Sequence, residues 1–358
     1  MKIRFGMIGS GWRAEFFIRI AKALPELFDL AVVMIRDAEK GRAFSEKHQV
    51  PVVQTIEELV SYQVEYVVLS VNRGVTSQYL TKLFQMNVPV LCETPPATDV
   101  ETLEMIWKQA KQYNARIQVA EQYFAQPLFA AWQEVIHQGK LGEVQNISLS
   151  IIHGYHAMSI VRRYLDAGMG NCKIIGKQFE FQATKTGSRL GMHFEGEIIS
   201  CKRDRLTLEF ENGKVAYYDF CGDQYLSFIR SRQLQVQGTR GEIDDLEIRY
   251  LTDENVAIHT KLNRTDLGVY NIQGWEHYGI MLNDTYIYKN PFEHARLNDD
   301  EIAVATCMYK MREYLETGRE LYSLKEACQD AYLGIMMGKA LENAYVEIET
   351  ETQVWAER

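Results

Sequence analysis

The sequence lacks the features that mark membrane-spanning, disulfide-rich and nucleic-acid-binding proteins. Only 6 of its 358 residues are cysteine, and none of them forms a Cys-x-x-Cys pair, so a zinc knuckle is not indicated. No apolar run approaches the roughly 20 residues that a membrane-spanning helix needs. The net charge is −9 and no long run of lysine and arginine occurs, which argues against a nucleic-acid partner.

The first residues also do not read as a secretion signal. Their apolar stretch is short and interrupted by Lys2 and Arg4, and no small-residue cleavage site follows. We therefore expect a cytoplasmic protein with reduced thiols and without a membrane partner. The most basic cluster, Lys202-Arg203-Asp204-Arg205, is interrupted by an acid, and we interpret it as a solvated hairpin turn.

What the sequence does contain is enough chain for two domains, since single cores stop growing at about 250–300 residues. In its first third, short apolar runs predict strands at residues 3–8, 30–35, 66–71, 89–92 and 117–120. Amphipathic segments between them predict helices, two of which begin with capping-box spacing at Thr55 and Thr98. This alternation is typical of a doubly wound parallel sheet.

The pattern changes from about Leu141 onward. A strand at 144–152 is followed by a helix at about 156–167, with Gly168 as its stop. Alternating segments at 178–184, 195–201, 206–210, 214–220 and 234–238 predict an antiparallel sheet, with a hairpin at Asn212-Gly213. Two helices follow, at about 300–317 and 324–344, the second capped by Ser323.

These patterns predict an α/β Rossmann domain at residues 1–125. An α+β domain with a large, mostly antiparallel sheet follows at 126–358. Its C-terminal helices either pack within this domain or pack back on the first domain.

The residues Gly9-Ser10-Gly11-Trp12-Arg13-Ala14 fit the pattern G-x-G-x-x-A between a predicted strand and a predicted helix. In that context the first glycine permits a tight turn, the second lets the backbone approach a pyrophosphate, and the alanine permits close packing. Amide groups at the start of a helix then bind phosphate oxygens. The turn therefore predicts a dinucleotide-binding site.

The end of the second predicted strand bears on the choice between NAD and NADP. An acid at that position would bind the ribose 2′-hydroxyl of NAD. Here Ile35 is followed by Arg36, and the acid is displaced to Asp37. Arg36 facing a 2′-phosphate favours NADP over NAD. The alternatives are that Arg36 stacks on the adenine or is solvated.

Six short segments occur along the chain in a familiar order. They are Gly9-Ser10-Gly11, Val-Leu-Cys-Glu-Thr-Pro-Pro-Ala at 90–97, Gln-Val-Ala-Glu-Gln-Tyr at 118–123, Gly-Lys-Leu-Gly-Glu-Val at 139–144, Val-Gln-Gly-Thr-Arg-Gly at 236–241 and Ser-Leu-Lys-Glu-Ala at 323–327. Together they resemble the glucose–fructose oxidoreductase, inositol dehydrogenase and rhizopine catabolism family, known as Gfo/Idh/MocA. The resemblance extends over nearly the whole chain.

The resemblance implies the two-domain fold described above and hydride transfer between a nicotinamide and a sugar-like alcohol or ketone. It also implies a homodimer or homotetramer formed through the exposed face of the C-terminal sheet. The cofactor contacts that it implies fall on Gly9, Ser10, Gly11, Trp12, Arg13, Arg36, Ser70, Asn72, Glu93, Thr94 and Gln122.

The chain departs from this family where the chemistry usually resides. The lysine of the Glu-Lys-Pro segment is Thr94, the aspartate of D-x-G-x-H is Ile152, and a histidine after the fourth strand is Val75. A lysine supplies both charge and a proton to a developing alkoxide, whereas threonine offers only a weakly acidic hydroxyl.

Three candidates for the proton donor remain: His156, Tyr155 and Tyr123. Histidine, with an ordinary pKa of about 6.5, suits this role, but a histidine at a helix start is also commonly a packed structural residue. His153 and His156 have i,i+3 spacing without an acidic companion, so no metal is expected.

Three functions remain open from the sequence. The first is an NAD(P)-dependent oxidoreductase for a sugar-like or other small carbonyl compound, with a non-standard proton donor and the nicotinamide near Thr94 and His156. The second is a reductase similar to biliverdin reductase, whose substrate needs little help from a protein acid. The third is a dinucleotide-binding sensor or regulatory subunit without catalysis. The segment Trp275-Glu276-His277-Tyr278 either contributes polyol contacts or packs over the sheet.

Overall fold

The computed structural model describes residues 2–268 and 276–356. The chain groups into two compact units. The first comprises Met1–Ala130, Arg264–Gly279 and Tyr288–Ala331, and the second comprises Ala131–Asn263, Ile280–Ile287 and Tyr332–Arg358. Two later segments thus belong with the first unit, in addition to the residues before the boundary expected after 125.

The first unit contains a six-stranded parallel sheet. Its strands are β1 (Ile3–Ile8), β2 (Phe28–Met34), β3 (Val52–Val53), β4 (Tyr66–Leu69), β5 (Val90–Cys92) and β6 (Ile117–Val119), in the order β3-β2-β1-β4-β5-β6. The intervening helices are α1 (Ala14–Ala23), α2 (Ala38–His48), α3 (Ile56–Val60), α4 (Arg73–Gln85) and α5 (Val100–Gln112). The predicted Rossmann domain is confirmed. The strand order reverses between β1 and β4, which is where ligands bind in such sheets.

The later helices are α6 (Pro127–His137), α7 (Gly154–Tyr164), α8 (Asp299–Thr317) and α9 (Leu324–Glu342). The later strands are β7 (Val144–Ser150), β8 (Cys172–Thr184), β9 (Gly187–Ser188), β10 (Gly191–Met192), β11 (Ile198–Phe210), β12 (Val215–Cys221), β13 (Gln233–Gly238), β14 (Gly241–Asp244), β15 (Glu247–Leu251), β16 (Ala257–Leu267), β17 (Glu276–Leu282), β18 (Thr285–Lys289) and β19 (Ile348–Glu349).

Eleven of these described strands form one sheet, in the order β18-β17-β16-β15-β14-β13-β7-β12-β11-β8-β19, and β9 pairs with β10 separately. The strand pairs are antiparallel wherever their register is described, except for the parallel pair of β7 and β12. The predicted large, mostly antiparallel sheet is therefore confirmed.

The core of the first unit is formed by the apolar strands and by one face of α8. Phe5 stacks on Tyr66, with ring centroids 6.0 Å apart, and both side chains are fully buried. The Tyr66 hydroxyl donates to the carbonyl of Met308 at 3.0 Å, which ties the sheet to α8. Burial of these rings follows from strands that are apolar on both faces, as in other covered parallel sheets.

One predicted turn is wrong. Residues 202–205, interpreted as a solvated hairpin, lie inside β11, which is one continuous strand rather than the two short strands expected around it. The basic side chains are accommodated by the neighbouring strand: Arg203 and Arg205 both form ion pairs with Asp219 of β12. Cross-strand charge pairing therefore sustains a strand where the local composition indicated a turn.

The helix predicted at about 156–167 is displaced, because α7 begins at Gly154 and ends at Tyr164. Asp166, with φ of 48°, is the left-handed residue that ends it, instead of Gly168. The amide of Ala167 bonds to the carbonyl of Arg162 at 2.9 Å and that of Asp166 to Arg163 at 3.4 Å, the pattern of a Schellman motif.

Two of the three predicted helix caps and the predicted hairpin agree with the structure, and one cap is displaced by one residue. Thr55 forms a complete capping box with Glu58, and Ser323 accepts the amide of Glu326 at 3.2 Å, as expected. The cap predicted at Thr98 lies instead at Asp99, whose carboxylate accepts the amide of Thr102 at 2.8 Å. The Asn212-Gly213 turn joins β11 to β12 as predicted.

Across residues 2–268 and 276–356, no helix combines the length and the apolar character that crossing a membrane requires.

Candidate functional site

A groove of about 600 Å³ lies at the carboxyl end of the parallel sheet in the first unit. It is bounded by the turn after β1, the segment after β2 and the segment that leads from β4 into α4. Eight of the eleven predicted cofactor contacts line it: Gly9, Ser10, Gly11, Trp12, Arg13, Arg36, Ser70 and Asn72. The structure adds Asp37, Lys40 and Tyr79 to this lining.

Gly9 allows the turn after β1 to approach β4 closely. Its φ is 122°, and a Cβ at this position would lie 2.0 Å from the carbonyl oxygen of Ser70. No side chain fits in that space, so glycine is required for the fold as well as for the groove. Gly11 differs, because no atom lies within 4 Å of the position that its Cβ would occupy. Its lack of a side chain keeps the groove floor open.

The groove has a basic edge beyond β2. Arg36 is exposed, and Lys40 lies one turn into α2. The carboxylate of Asp37 accepts the Lys40 amide at 2.9 Å as the N-cap of α2, so one of its oxygens is already engaged. A second depression, of about 230 Å³, shares Arg36 with the groove and is also lined by Lys82.

Arg13 is held by two carboxylates of the first unit. Its Nε donates to Glu93 at 2.9 Å, and its terminal nitrogen donates to Asp300 of α8, also at 2.9 Å. Burial alone would lower the pKa of Arg13, but the charges of Glu93 and Asp300 overcome this effect and raise it. Two of the predicted contacts, Arg13 and Glu93, therefore bind each other, and the sequence held no indication of Asp300.

The remaining predicted contacts of the first unit lie after β5 and β6. Thr94 is half-buried and precedes Pro95 through a cis peptide bond. Gln122 is only 5% exposed, and its Oε1 has no hydrogen-bond partner among the described residues. Buried polar atoms are normally paired, so such an atom calls for a partner outside the protein. Tyr123 follows in a short 3-10 helix, half-buried, with its ring edge against Phe129 at 5.9 Å.

His156 and Tyr155 lie in the first turn of α7 in the second unit. The His156 side chain is buried, with 6% of the residue exposed, and its ring centroid is 4.3 Å from that of Tyr155 and 4.9 Å from that of His153. These ring contacts bring the side chains of His153, Tyr155 and His156 to one face. Three aromatic nitrogen or hydroxyl groups are therefore grouped at one helix end.

Tyr225 holds this group and was missed in the sequence. Its hydroxyl lies 2.7 Å from Nδ1 of His153 and accepts the backbone amide of the same residue at 3.1 Å. The hydroxyl of Tyr218 accepts the Gly154 amide at 3.0 Å. Two tyrosines from β12 and the turn after it thus cap α7, and no local pattern in a sequence shows such a pairing.

The segment 275–278 is described only in part. Trp275 lies outside the described residues. His277 is fully buried beside Asp266, with Nδ1 3.0 Å from Oδ1, which favours the packing interpretation of that segment. Cys92, at the end of β5, is buried, and burial raises the pKa of its thiol. His153 and His156 are not part of the one metal-ligand cluster that the described residues contain.

Several solved structures share this architecture. An oxidoreductase of Agrobacterium radiobacter, solved with NAD+, L-tartaric acid and magnesium, has a TM-score of 0.70 at 12% identity over 98% of each chain. A myo-inositol dehydrogenase of Corynebacterium glutamicum has a TM-score of 0.65 at 12% identity, covering 98% of this chain and 99% of its own. An oxidoreductase of Desulfitobacterium hafniense, provisionally named NADPH-dependent, has a TM-score of 0.65 at 15% identity over 98% of each chain. At these identities the likeness establishes the fold.

No curated protein sequence matches the chain significantly. Residues 3–121, however, match the model of an oxidoreductase family with an NAD-binding Rossmann fold, Gfo/Idh/MocA. The match covers the first domain. Together with the shared architecture, it confirms the resemblance to this family and the assignment of an NAD-binding fold.

Three positions at which the chain departs from the Gfo/Idh/MocA pattern have different environments. Ile152 is fully buried, so an apolar side chain suits its surroundings and a charged one would not. Val75 is half-buried and lines the groove. Thr94 is half-buried, between the buried strand β5 and Pro95. Only at Ile152 is the loss of the polar group thus matched by full burial.

We predict that Gly9→Ala destabilises the first unit and Gly11→Ala does not. The new methyl group at position 9 meets the Ser70 carbonyl, and the left-handed backbone alone costs about 1–3 kcal/mol. Thermal and urea unfolding of both variants measure this difference. Equal stability of Gly9→Ala and the unmodified chain would contradict the close approach of β1 and β4.

Proposed function

We propose that the protein is an NAD(P)-dependent oxidoreductase that acts on a sugar-like or other small carbonyl or alcohol substrate. The observation that carries the proposal is the groove at the turn after β1, located where β1 and β4 diverge in a Gfo/Idh/MocA domain. A nicotinamide dinucleotide bound there would supply or accept the hydride.

The residues present fit such a cofactor. At the start of α1 the amides of Ala14 and Phe16 already bond to the carbonyls of Gly11 and Arg13, at 3.0 and 3.1 Å. We therefore expect phosphate oxygens to bind the amides of the preceding turn at Ser10 and Gly11. The open space over Gly11 permits close approach of a pyrophosphate. The unpartnered Oε1 of Gln122 offers an acceptor for an amide or a hydroxyl of the cofactor. Because Arg13 is already paired with Glu93 and Asp300, we expect it to hold the turn in place and to contribute less to phosphate binding.

We propose NADP as the preferred cofactor. Arg36 and Lys40 provide positive charge along the edge where the adenosine ribose would lie, and the nearest acid, Asp37, is engaged in capping α2. A guanidinium binds a phosphate through paired, charge-assisted hydrogen bonds.

The chain's own proton chemistry is assigned to α7. In the proposed reaction His156 supplies the proton that the substrate oxygen takes when a carbonyl is reduced, and receives it back in the opposite direction. Tyr155 shares its face and is the second candidate, and Tyr123 is the third. His153, held by Tyr225, is a positioning residue for this group.

A sensor or regulatory role without catalysis is the second candidate function. The full burial of Ile152 favours it, because no polar side chain replaces the family's aspartate at that position. A reductase similar to biliverdin reductase stays a third proposal, since it also operates without the lysine that Thr94 replaces.

Cofactor binding is tested by titrating the protein into NADH and NADPH and following nicotinamide fluorescence. We expect tighter binding of NADPH, and we expect Arg36→Glu to weaken it at least about tenfold, because a hydrogen bond to a charged group contributes about 1.5–3 kcal/mol. NADH binding should change little. Arg42→Glu is the matched control, since Arg42 is exposed on α2 and does not line the groove.

No fluorescence change with either nucleotide would exclude all three candidate functions. If Arg36→Glu weakens the binding of NADH and NADPH equally, the proposed binding site stands but the proposed preference for NADP is refuted.

Catalysis is tested with a panel of sugars, inositols and tetrapyrroles, followed by nicotinamide absorbance. With the best substrate, we predict that His156→Ala lowers turnover at least about tenfold and leaves cofactor affinity nearly intact, since it removes an acid–base group and no nucleotide contact. His137→Ala is the control, because this histidine is exposed at the end of α6. Unchanged turnover in His156→Ala would remove His156 from the mechanism, and a panel without any turnover would favour the sensor.

We also propose a cytoplasmic location, which agrees with six cysteines that are all free thiols.

The proposed assembly is a homodimer or homotetramer formed through the outer face of the large sheet. Thr207 of β11 is paired with Ile175 of β8 on one side and with Tyr217 of β12 on the other, so these side chains lie on one face of the sheet. Ile175 and Tyr217 are both exposed, and exposed Phe179 of β8 lies on the same face. Exposed apolar patches of this kind often mark subunit contacts.

We predict that Tyr217→Arg together with Phe179→Asp lowers the mass measured by light scattering to that of a monomer. Val256→Asp, at an exposed turn of the same unit, should not. A monomeric unmodified protein would refute the assembly.

A further inference from the structure

The second unit contains a cluster of metal-ligating side chains that has no part in the proposed reaction. It consists of Cys201 in β11, Cys221 at the end of β12 and Asp223 in the 3-10 helix Gly222–Tyr225. The three ligand atoms all lie within 4.8 Å of one another. It is the one group of three or more such residues within the described ranges 2–268 and 276–356.

The strand register brings the two thiols to one place. Cys221 is paired with Arg203 of β11, and Cys201 lies two residues away from Arg203 on the same face of that strand. The chain then turns at once into the 3-10 helix, which returns Asp223 to the thiols. Both cysteines are buried and pack against Ala183, with Phe181 and Ile199 beside them. The cluster is therefore built by three segments and enclosed by apolar side chains.

The carboxylate of Asp223 has an oxygen that the protein leaves unpaired. Its side chain is only 11% exposed, and Oδ2 lies 3.3 Å from Nε of Arg230. Oδ1 is buried without a hydrogen-bond partner among the described residues. The following turn does not use this side chain, since the amides of Leu226 and Ser227 bond to the backbone carbonyl of Asp223 at 3.0 and 2.8 Å. A buried, unpaired carboxylate oxygen next to two thiols is suited to a cation.

We propose that Cys201, Cys221 and Asp223 bind a thiophilic divalent cation of the zinc class. Zinc takes cysteine sulfur at about 2.3 Å and carboxylate oxygen at about 2.0–2.2 Å in a tetrahedral arrangement, which places its ligand atoms about 3.5–4 Å apart. The cluster, whose ligand atoms lie within 4.8 Å of one another, reaches this separation by a contraction of about 1.3 Å or less. Water or another small ligand completes the fourth position.

The charges balance when the cation enters. A cysteine thiol ordinarily carries its proton at neutral pH, because its ordinary pKa is about 8.5. Both thiols are thus neutral without metal, and the charges of Asp223 and Arg230 cancel. On binding, each thiol releases one proton to water and the divalent cation forms bonds to two sulfurs and one oxygen. Two positive charges replace two protons, so the enclosed site remains neutral.

The alternative for two adjacent thiols is a disulfide. Such a bond would require an external oxidant and would make no use of the unpaired carboxylate oxygen. The position of Asp223 therefore favours a cation over a cystine.

The full-length protein, kept reduced with a phosphine reductant, is equilibrated with Zn2+, desalted and measured for bound metal. Titration with Cd2+ then reports thiolate ligation through its ultraviolet charge-transfer absorption. We expect one metal per chain and a cadmium band from two thiolates. Cys201→Ser and Cys221→Ser should lose both, and Asp223→Asn should weaken cadmium binding at least tenfold while retaining the band. Cys172→Ala is the matched control, a buried cysteine at the opposite end of β8 that should retain the metal.

The proposal is overturned if the unmodified protein retains no stoichiometric metal, or if the two serine variants retain it. If a serine variant unfolds, Asp223→Asn decides: unchanged cadmium affinity in that variant refutes the three-ligand site. A Cys201–Cys221 disulfide that forms in preference to metal binding, once the reductant is removed, also refutes it. Nucleotide titration of the same samples is a separate readout, because no residue of this cluster lines the groove.

Discussion

At Gly9 the turn after β1 approaches the end of β4 too closely to admit a side chain, and the candidate site depends on this contact. With no space for a side chain between Gly9 and the Ser70 carbonyl, the turn after β1 lies against the end of β4. The start of α1 is thereby located beside the edge where the strand order reverses. From this one contact follow the groove, its orientation toward Arg36, and the position of Arg13 between Glu93 and Asp300.

Much of the fold was accessible from the sequence because its strands and turns are marked locally. The apolar runs of β1 and β4, the capping box of Thr55 and the Asn212-Gly213 turn depend on near neighbours, and the structure agrees with them. The errors arose where distant partners decide. Arg203 and Arg205 are polar enough for a turn, yet Asp219 on another strand keeps them in β11. Likewise the start of α7 is determined by two tyrosines more than sixty residues away.

The residues of the candidate site were likewise predictable only where a local sequence pattern marks them. The glycine turn and Arg36 could be predicted, because backbone geometry at a strand end follows a short pattern. The roles of Asp300, Tyr225 and Asp223 could not, since each acts on a partner far along the chain. The cysteines are a further example. The sequence indicated six scattered, reduced thiols, and two of them meet only because β11 and β12 are paired in a particular register.

Because phenol oxygens of another segment cap α7, the helix and that segment are linked in evolution. A helix that carries its own serine or aspartate cap changes independently of its surroundings. Here the hydroxyls of Tyr218 and Tyr225 serve that purpose, so the orientation of His153 is encoded in β12 and the turn after it. Substitutions there would alter the histidine pair without touching the helix. Among related proteins we therefore expect the two segments to diverge together, as one inherited block.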